Sequence, residues 1–482
     1  MAQKKAQSTK RQTAEAKTAA AAEKKPAAAD KAEPTAKKAE PAAKKAEPAA
    51  KKAAPTPVAE EPKPVAEESV QPKEEVAMEP HYDSPRRSVA FIGSECHPFV
   101  KTGGLGDVMY ALPRELARLN CDVRVILPRY ACIPQEYQNK MIYRGEFYMD
   151  LGKTGRNYYV GIMEYICDGV VYDFIDNQEF FSSGNPYISL VDDIPKYCFF
   201  SKAALAALNF LNWIPDVIHC HDWQTGLVPV YLHDSFQQNE FFWGIKTVMT
   251  IHNLKFQGVY DVKTIKEITG LSDYYFVPDK LEAYKDANFL KGGIVFADAV
   301  TTVSNTYAEE IKTPFYGERL DGLLCARAHD LRGIVNGIDY DVFNPETDKC
   351  ITRNYNAKTF RKEKVKNKIQ LQKDLGLNED PNAMLIGIVS RLTDQKGFDL
   401  IAYVMDELCQ DAVQIVVLGT GEERYENMFR HFDWKYHGKV SAQIYYDEPL
   451  SHRIYAASDA FLMPSLFEPC GLSQLMSLRY GT

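Results

Sequence analysis

SVAFIGSECHPFVKTGGLGDVMYALPRELARLNCDVRVILPRY, Ser88–Tyr130, reads as strand, loop, helix and strand. SVAFIGSE (Ser88–Glu95) is a short apolar and aromatic run of the kind buried in a sheet. HPFVKTGGLG follows as a loop with three glycines, Gly103, Gly104 and Gly106. Val108, Ala111, Leu112, Leu116 and Leu119 then fall at helical spacing, and Asp107 is placed to favour the positive end of that helix. CDVRVILPRY (Cys121–Tyr130) is the second strand. This is a βαβ unit, which implies a parallel sheet with helices on its faces.

The alternation continues outward. DVIHCHDW (Asp216–Trp223), KTVMTIHN (Lys246–Asn253) and DAVTTVSN (Asp298–Asn305) are strands that end in polar residues, and GIVNGID (Gly333–Asp339) is a short apolar run stopped by turn residues. A polar, lysine-rich helical stretch, Lys358–Leu375, ends at Gly376. A second series then begins with AMLIGIVSRL (Ala383–Leu392), QIVVLGTGEE (Gln414–Glu423), KVSAQIYY (Lys439–Tyr446) and DAFLMPSLFEP (Asp459–Pro469). The expected fold is α/β, two doubly wound domains, with the boundary near residues 335–345.

Before Arg87 the composition differs. Ala, Lys, Pro and Glu dominate, AKKAEPA recurs, and Pro34, Pro41, Pro48 and Pro55 stand seven residues apart. A proline in each heptad breaks any long helix, and little apolar area is available to offset ordering entropy. Residues 1–86 are therefore expected to be a disordered low-complexity tail. Its basic half and acidic end allow two readings, a weak electrostatic tether to an anionic partner or a solubilising extension. With many acids and little arginine it matches an organelle transit peptide poorly.

The whole chain has 482 residues, 45% of them hydrophobic, and a net charge of -8, which argues against general nucleic-acid binding. Ten scattered cysteines form no CxxC pair, so neither a zinc site nor a disulfide framework is indicated, and reduced cytoplasmic thiols are expected. No apolar run is long enough for a membrane span, and the N-terminus has no apolar signal region.

Ligands of open parallel sheets bind beyond the carboxyl ends of the strands. Those ends carry His221-Asp222-Trp223, His252-Asn253, Ser304-Asn305, Arg391, Gly419-Thr420-Gly421 and Glu468, so two facing sheets would gather them around one cleft. In KTGGLGDV, between strand and helix, backbone N–H groups can cradle an anion. The loop lacks the third glycine of a dinucleotide fingerprint, because Met109 stands there, and Lys101 precedes the glycines where a Walker loop has its lysine after them. SRLTDQKG (Ser390–Gly397) puts Arg391 and Lys396 on one loop, two cations that can neutralise a leaving diphosphate as a metal ion does elsewhere. Glu468 opens a strand-to-helix junction where a carboxylate can accept bonds from sugar hydroxyls, while the amides of Gly471, Leu472 and Ser473 face a phosphate. The aromatics Tyr187, Trp223, Phe256 and Tyr260 are candidates to pack on sugar faces or are core residues.

SECHPFVKTGGLGDV, HCHDWQTGL, TIHNLKFQG, VNGIDYDVFNPETD, VSRLTDQKG and FEPCGLSQLMSLRYGT, in this order, resemble the bacterial glycogen and starch synthases from about Ser88 to Thr482. The resemblance implies two facing Rossmann-like domains of the GT-B type, an N-terminal starch-synthase catalytic domain over 87–338 and a C-terminal glycosyltransferase domain over 339–482. It implies transfer of glucose from ADP-glucose to the non-reducing end of an α-1,4-glucan with retention of configuration and no metal or other cofactor. By the same resemblance His252, Arg391, Lys396 and Glu468 are the expected catalytic residues. Arg391 and Lys396 bind the donor diphosphate, Glu468 holds glucose hydroxyls, and His252 stands beside the transferred sugar. Lys101, Gly103, Gly104, Asp107, Tyr187, Asn253, Gly337, Cys470, Gly471, Leu472 and Ser473 are the expected substrate-binding positions. Expected partners are ADP-glucose and the glucan acceptor, with no nucleic acid and no membrane.

Two departures qualify the resemblance. Many related retaining glycosyltransferases carry a second glutamate eight residues after the first, where this chain has Met476. That disfavours sucrose-, trehalose- and lipid-directed relatives. The chain also stops at RYGT, where the family continues, so the second domain is expected to be truncated and the chain poorly stable and weakly active. The alternatives are another nucleotide-sugar-dependent retaining glycosyltransferase and an inactive glucan-binding fragment.

Overall fold

A computed structural model describes residues 86–482 apart from Thr154 and Ser183. The tail expected over residues 1–86 lies, but for Arg86, outside the described residues.

The opening stretch folds as its pattern dictates. β1 (Ser88–Ile92) runs parallel to β2 (Asp122–Pro128), with the helix Gly104–Arg118 between them. Ala90, Phe91 and Ile92 are buried, as a central strand covered on both faces requires. The helix is turned differently from its expected stripe. Leu105, Val108 and Met109 face the core, while Leu112 and Leu119 are 36% and 56% exposed.

The next strands are β3 (Ile142–Asp150), β4 (Asn157–Cys167) and β5 (Val170–Asp176), followed by β6 (Val217–His221) and β7 (Lys246–Ile251). β8 (Val259–Asp261), β9 (Glu282–Ala283) and β10 (Asp286–Asn288) make a small antiparallel sheet of their own. β11 (Ala299–Thr302) and β12 (Leu331–Gly333) complete a nine-stranded sheet of order β12-β11-β7-β6-β1-β2-β5-β4-β3. The expected parallel sheet is thus mixed. β4 pairs antiparallel with both β5 and β3 and extends one edge. β3 runs along an exposed edge with only Met149 buried and bulges between Tyr143 and Gly145, so it has no buried run to reveal it.

GIVNGID is a strand only at its first residue. β12 ends at Gly333, and Ile334 and Val335 are exposed where the chain leaves the sheet. Beyond it Phe343, Ile351 and Tyr355 pack against Tyr455, Met476 and Tyr480. The second sheet is parallel throughout, of order β15-β14-β13-β16, from β13 (Met384–Val389), β14 (Val413–Leu418), β15 (Val440–Gln443) and β16 (Ala460–Phe461). Each of its strands is shorter than the run that announced it, because the chain leaves the ladder toward the cleft before the run ends.

Candidate active site

The carboxyl ends of both sheets line one cleft of about 880 Å³. From the first sheet come Glu95 after β1, Asp222 after β6, and His252 and Asn253 after β7. From the second come Ser390 and Arg391 after β13, Gly419 and Thr420 after β14, and the loop of Glu468 after β16.

The glycine-rich loop is held from behind. Thr102 donates to Glu95 Oε2 from its backbone N–H at 2.7 Å and from its hydroxyl at 2.5 Å, and the Gly106 N–H donates to Glu95 Oε1 at 3.2 Å. Burial outweighs these bonds and pushes the Glu95 carboxyl up to about 7. Lys101 reaches forward to two carboxylates, Asp107 Oδ1 at 2.7 Å and Glu448 Oε1 at 2.6 Å. Burial opposes its charge, yet the two anions hold the Lys101 ammonium above the usual lysine range. A Cβ at Gly104 would lie 2.6 Å from Leu472 Cδ1 of the facing domain, so the leucine tip would have to shift to admit a side chain there.

On the second domain, Lys396 Nζ meets Glu468 Oε1 at 2.5 Å, and the Ser465 hydroxyl donates to the same oxygen at 2.6 Å. Arg391 stands by, its guanidinium 5.7 Å from the Phe256 ring centroid. Gly397 is left-handed at φ 69° and closes the turn that presents Lys396. Gly471, at φ 82°, precedes the helix Leu472–Arg479, whose first amides no side chain caps.

Asp222, at φ 56°, accepts from the backbone N–H of His252 at 2.7 Å and of Asn253 at 3.4 Å. Burial raises its carboxyl to about 7. Burial also lowers the His252 imidazole to about 3, so the ring beside the cleft is neutral at ordinary pH. Asn253 bridges the domains, donating to Gln395 Oε1 at 3.2 Å, and Lys255 pairs with Asp394 at 2.7 Å. Tyr187 shares a 2.8 Å hydrogen bond with Ser94.

Of the expected residues, His252, Arg391, Lys396 and Glu468 all line this cleft, as do Lys101, Gly103, Gly104, Asp107, Tyr187, Asn253, Cys470, Gly471, Leu472 and Ser473. Gly337 does not; its neighbour Asn336 does. Trp223 lines the cleft but is mostly core, packed edge-on to Tyr197. Phe256 lines the cleft and Tyr260 does not. Met476 is buried at the base, so no second carboxylate stands where some related glycosyltransferases have one. Glu95, Gln395 and Glu448 are cleft residues that the sequence reading passed over. Glu95 had a signal, since it follows β1 as Asp222 follows β6, whereas Glu448 is recognisable only through its three-dimensional pairing with Lys101.

Among the described residues, Asp348, Cys350 and His452 form a group that could hold a metal ion, and none of the three lines the cleft. The Asp348 carboxylate is already occupied, accepting from the Cys350 N–H at 2.8 Å and from Tyr480 at 2.5 Å and bonding His452 Nδ1 at 2.8 Å. Its chemistry is that of a structural network. All ten cysteines are free, and among the described residues no helix is long and apolar enough to cross a membrane.

The starch synthase catalytic domain model matches residues 88–326, and the glycosyl transferases group 1 model matches residues 367–482. The glycogen synthase of Lachnospira eligens is 65% identical over 396 residues, 82% of each chain. The glycogen synthase of Clostridium botulinum (strain Alaska E43) is 49% identical over 395 residues, again 82% of each. The catalytic domain of starch synthase IV from Arabidopsis thaliana, solved bound to ADP and acarbose, superposes with a TM-score of 0.75 at 35% identity, covering 83% of this chain and 82% of that one. With its two facing α/β sheets, its shared cleft and relatives at this identity, the chain belongs to the glycogen and starch synthase family of GT-B glycosyltransferases.

Proposed function

We propose that the chain transfers the glucosyl unit of ADP-glucose to the non-reducing end of an α-1,4-glucan, with retention and without a metal ion, in the cytoplasm. The observation that carries this reading is the Lys396–Glu468 ion pair, 2.5 Å long, beside Arg391 and across the cleft from a neutral His252. Breaking the anomeric C–O bond puts positive charge on the sugar and negative charge on the departing diphosphate. Arg391 and Lys396 supply fixed cations for the diphosphate. Glu468, freed from Lys396 when the phosphate takes that cation, accepts from the glucose hydroxyls. An imidazolium beside an oxocarbenium-like sugar would raise the barrier, and the neutral ring avoids this. As the family of the chain suggests, the acceptor hydroxyl attacks on the face the diphosphate leaves, which retains the configuration. ADP and acarbose in the plant starch synthase support a nucleotide beside a glucan in this cleft.

The test is incorporation of labelled glucose into glycogen from ADP-glucose and from UDP-glucose, each with and without EDTA. The expected result is a preference for ADP-glucose that EDTA leaves unchanged. Lys396→Ala should lower kcat/KM by about 10²–10³-fold with the melting temperature preserved. Equal use of both donors, loss of activity in EDTA, or an active Lys396→Ala would overturn the reading.

A further inference from the structure

Behind His252 lies a run of imidazoles that the proposed chemistry does not use. His219 and His221 alternate on β6, so both project from one face, and Phe91 of β1 stacks on His221 at 5.5 Å. The His219 and His221 ring centroids are 4.2 Å apart, and those of His221 and His252 are 5.2 Å apart. His219 Nε2 bonds the Thr250 hydroxyl at 2.6 Å, which bonds the Thr301 hydroxyl at 2.6 Å. His221 Nδ1 and His252 Nε2 are 2.9 Å apart, a hydrogen bond in which either ring could be the donor. The other nitrogen of His221, Nε2, is buried without a partner. The other nitrogen of His252, Nδ1, also has no protein partner, but it is not sealed off, and its ring lines the cleft.

These facts separate the two arrangements. Burial keeps all three rings neutral, each with one N–H. If His252 donated from Nε2, the proton of His221 would sit on its Nε2, as a buried N–H with no acceptor. If His221 donates from Nδ1, its Nε2 is a bare lone pair and every N–H in the pair is used or faces the cleft. Orphaned buried N–H groups are rare in folded proteins, and the hydrogen bond made by one ring nitrogen sets the state of the other.

We propose that His221 is a positioning residue that donates from Nδ1–H to His252 Nε2 and thereby fixes His252 as the Nδ1–H tautomer, so that the ring offers the cleft a hydrogen-bond donor. The ligand atom it meets is an acceptor oxygen, a hydroxyl of the transferred sugar. That last identification rests on the glucosyl-transfer reading, whereas the tautomer does not. Asp222 completes the arrangement by holding the His252 backbone N–H at 2.7 Å, so main chain and ring are fixed by adjacent strand ends.

The direct test is imidazole nitrogen NMR on the ligand-free protein labelled with ¹⁵N-histidine, the His252 signals being those lost in His252→Gln. The expected result is a protonated Nδ1 and an unprotonated Nε2 on His252; the reverse assignment overturns the inference whatever the donor proves to be. Two variants give a kinetic readout. His221→Asn places an amide N–H near the former Nδ1 and should retain most of kcat/KM. His221→Leu removes the donor and should lose about ten-fold. Equal losses in the two variants would mean that the ring acts by packing alone. If neither variant folds, the NMR result on the unaltered protein still decides.

Discussion

Glu95 shows how one side chain can serve the fold at a cost that pH reveals. It is buried at the end of β1 and anchors the glycine-rich loop through Thr102 and Gly106. Burial raises its carboxyl to about 7, as it does that of Asp222. A carboxyl whose pKa is higher in the folded than in the unfolded chain carries a proton when folded that it loses on unfolding. Its contribution is intact below the unfolded value of about 4 and is eroded as pH rises through the folded value. The melting temperature should therefore fall between about pH 5 and about pH 7. Glu95→Gln, which is neutral at every pH, should flatten that decline. A melting profile as steep in Glu95→Gln as in the unaltered chain would show that Glu95 is ionised in the folded protein. The same residue marks a limit of the sequence. Lys396 and Glu468 are legible because each sits in a loop whose composition suits a phosphate or a sugar. Glu95 has only a strand end to announce it, and its burial is a property of the whole cleft.

At the scale of elements, the parallel strands were legible because strands buried on both faces are apolar for several consecutive residues, as in β1 and β13. β3 and β4 were not, since β3 is an edge strand with a single buried residue, Met149, and β4 mixes tyrosines and Glu164 among its apolar residues. The helix Gly104–Arg118 was legible as a helix, but its buried side was misjudged. Leu105 and Met109 at its start turn into the core of the first sheet, a face that the spacing of Ala111, Leu112 and Leu116 does not mark. Turns make the sharpest prediction at this scale. Gly397 has φ 69°, and a Cβ there would lie 2.0 Å from the Pro464 carbonyl oxygen, a backbone atom that cannot swing away. Gly397→Ala combines backbone strain with a backbone clash and should cost about 1–3 kcal/mol or more of stability. It should also weaken donor binding, because the same turn aims Lys396. Urea denaturation and calorimetric titration with ADP measure the two effects. An alanine variant as stable as the unaltered chain would mean that the loop is not held against Pro464.

At the scale of the whole molecule, polar pairs and aromatic contacts join the two halves. Arg114 pairs with Asp339 at 2.7 Å near the crossing of the chain, and Phe467 lies parallel to Tyr307 at 6.5 Å. Across the cleft mouth stand Asn253 with Gln395, Lys255 with Asp394, and Lys101 with Glu448. The last of these is the shortest and joins the glycine-rich loop to the first turn of the helix Glu448–Ala457. Exposed ion pairs contribute about 0–1 kcal/mol, but Lys101 and Glu448 are only 14% and 24% exposed, so solvent screens this pair less. Lys101 also keeps Asp107, so Glu448 can leave it without stranding a buried charge. Glu448 is therefore placed to hold the cleft mouth closed while no donor is bound, with an incoming diphosphate taking over the lysine. Glu448→Gln should speed amide hydrogen exchange in the segments Phe99–Asp107 and Asp447–Ser451 of the ligand-free protein. ADP-glucose should restore protection, since the diphosphate then supplies the anion. Unchanged exchange in the ligand-free variant would mean that the remaining contacts hold the cleft mouth closed without Glu448. Faster exchange that ADP-glucose fails to reverse would mean that Lys101 answers to Glu448 and not to the donor.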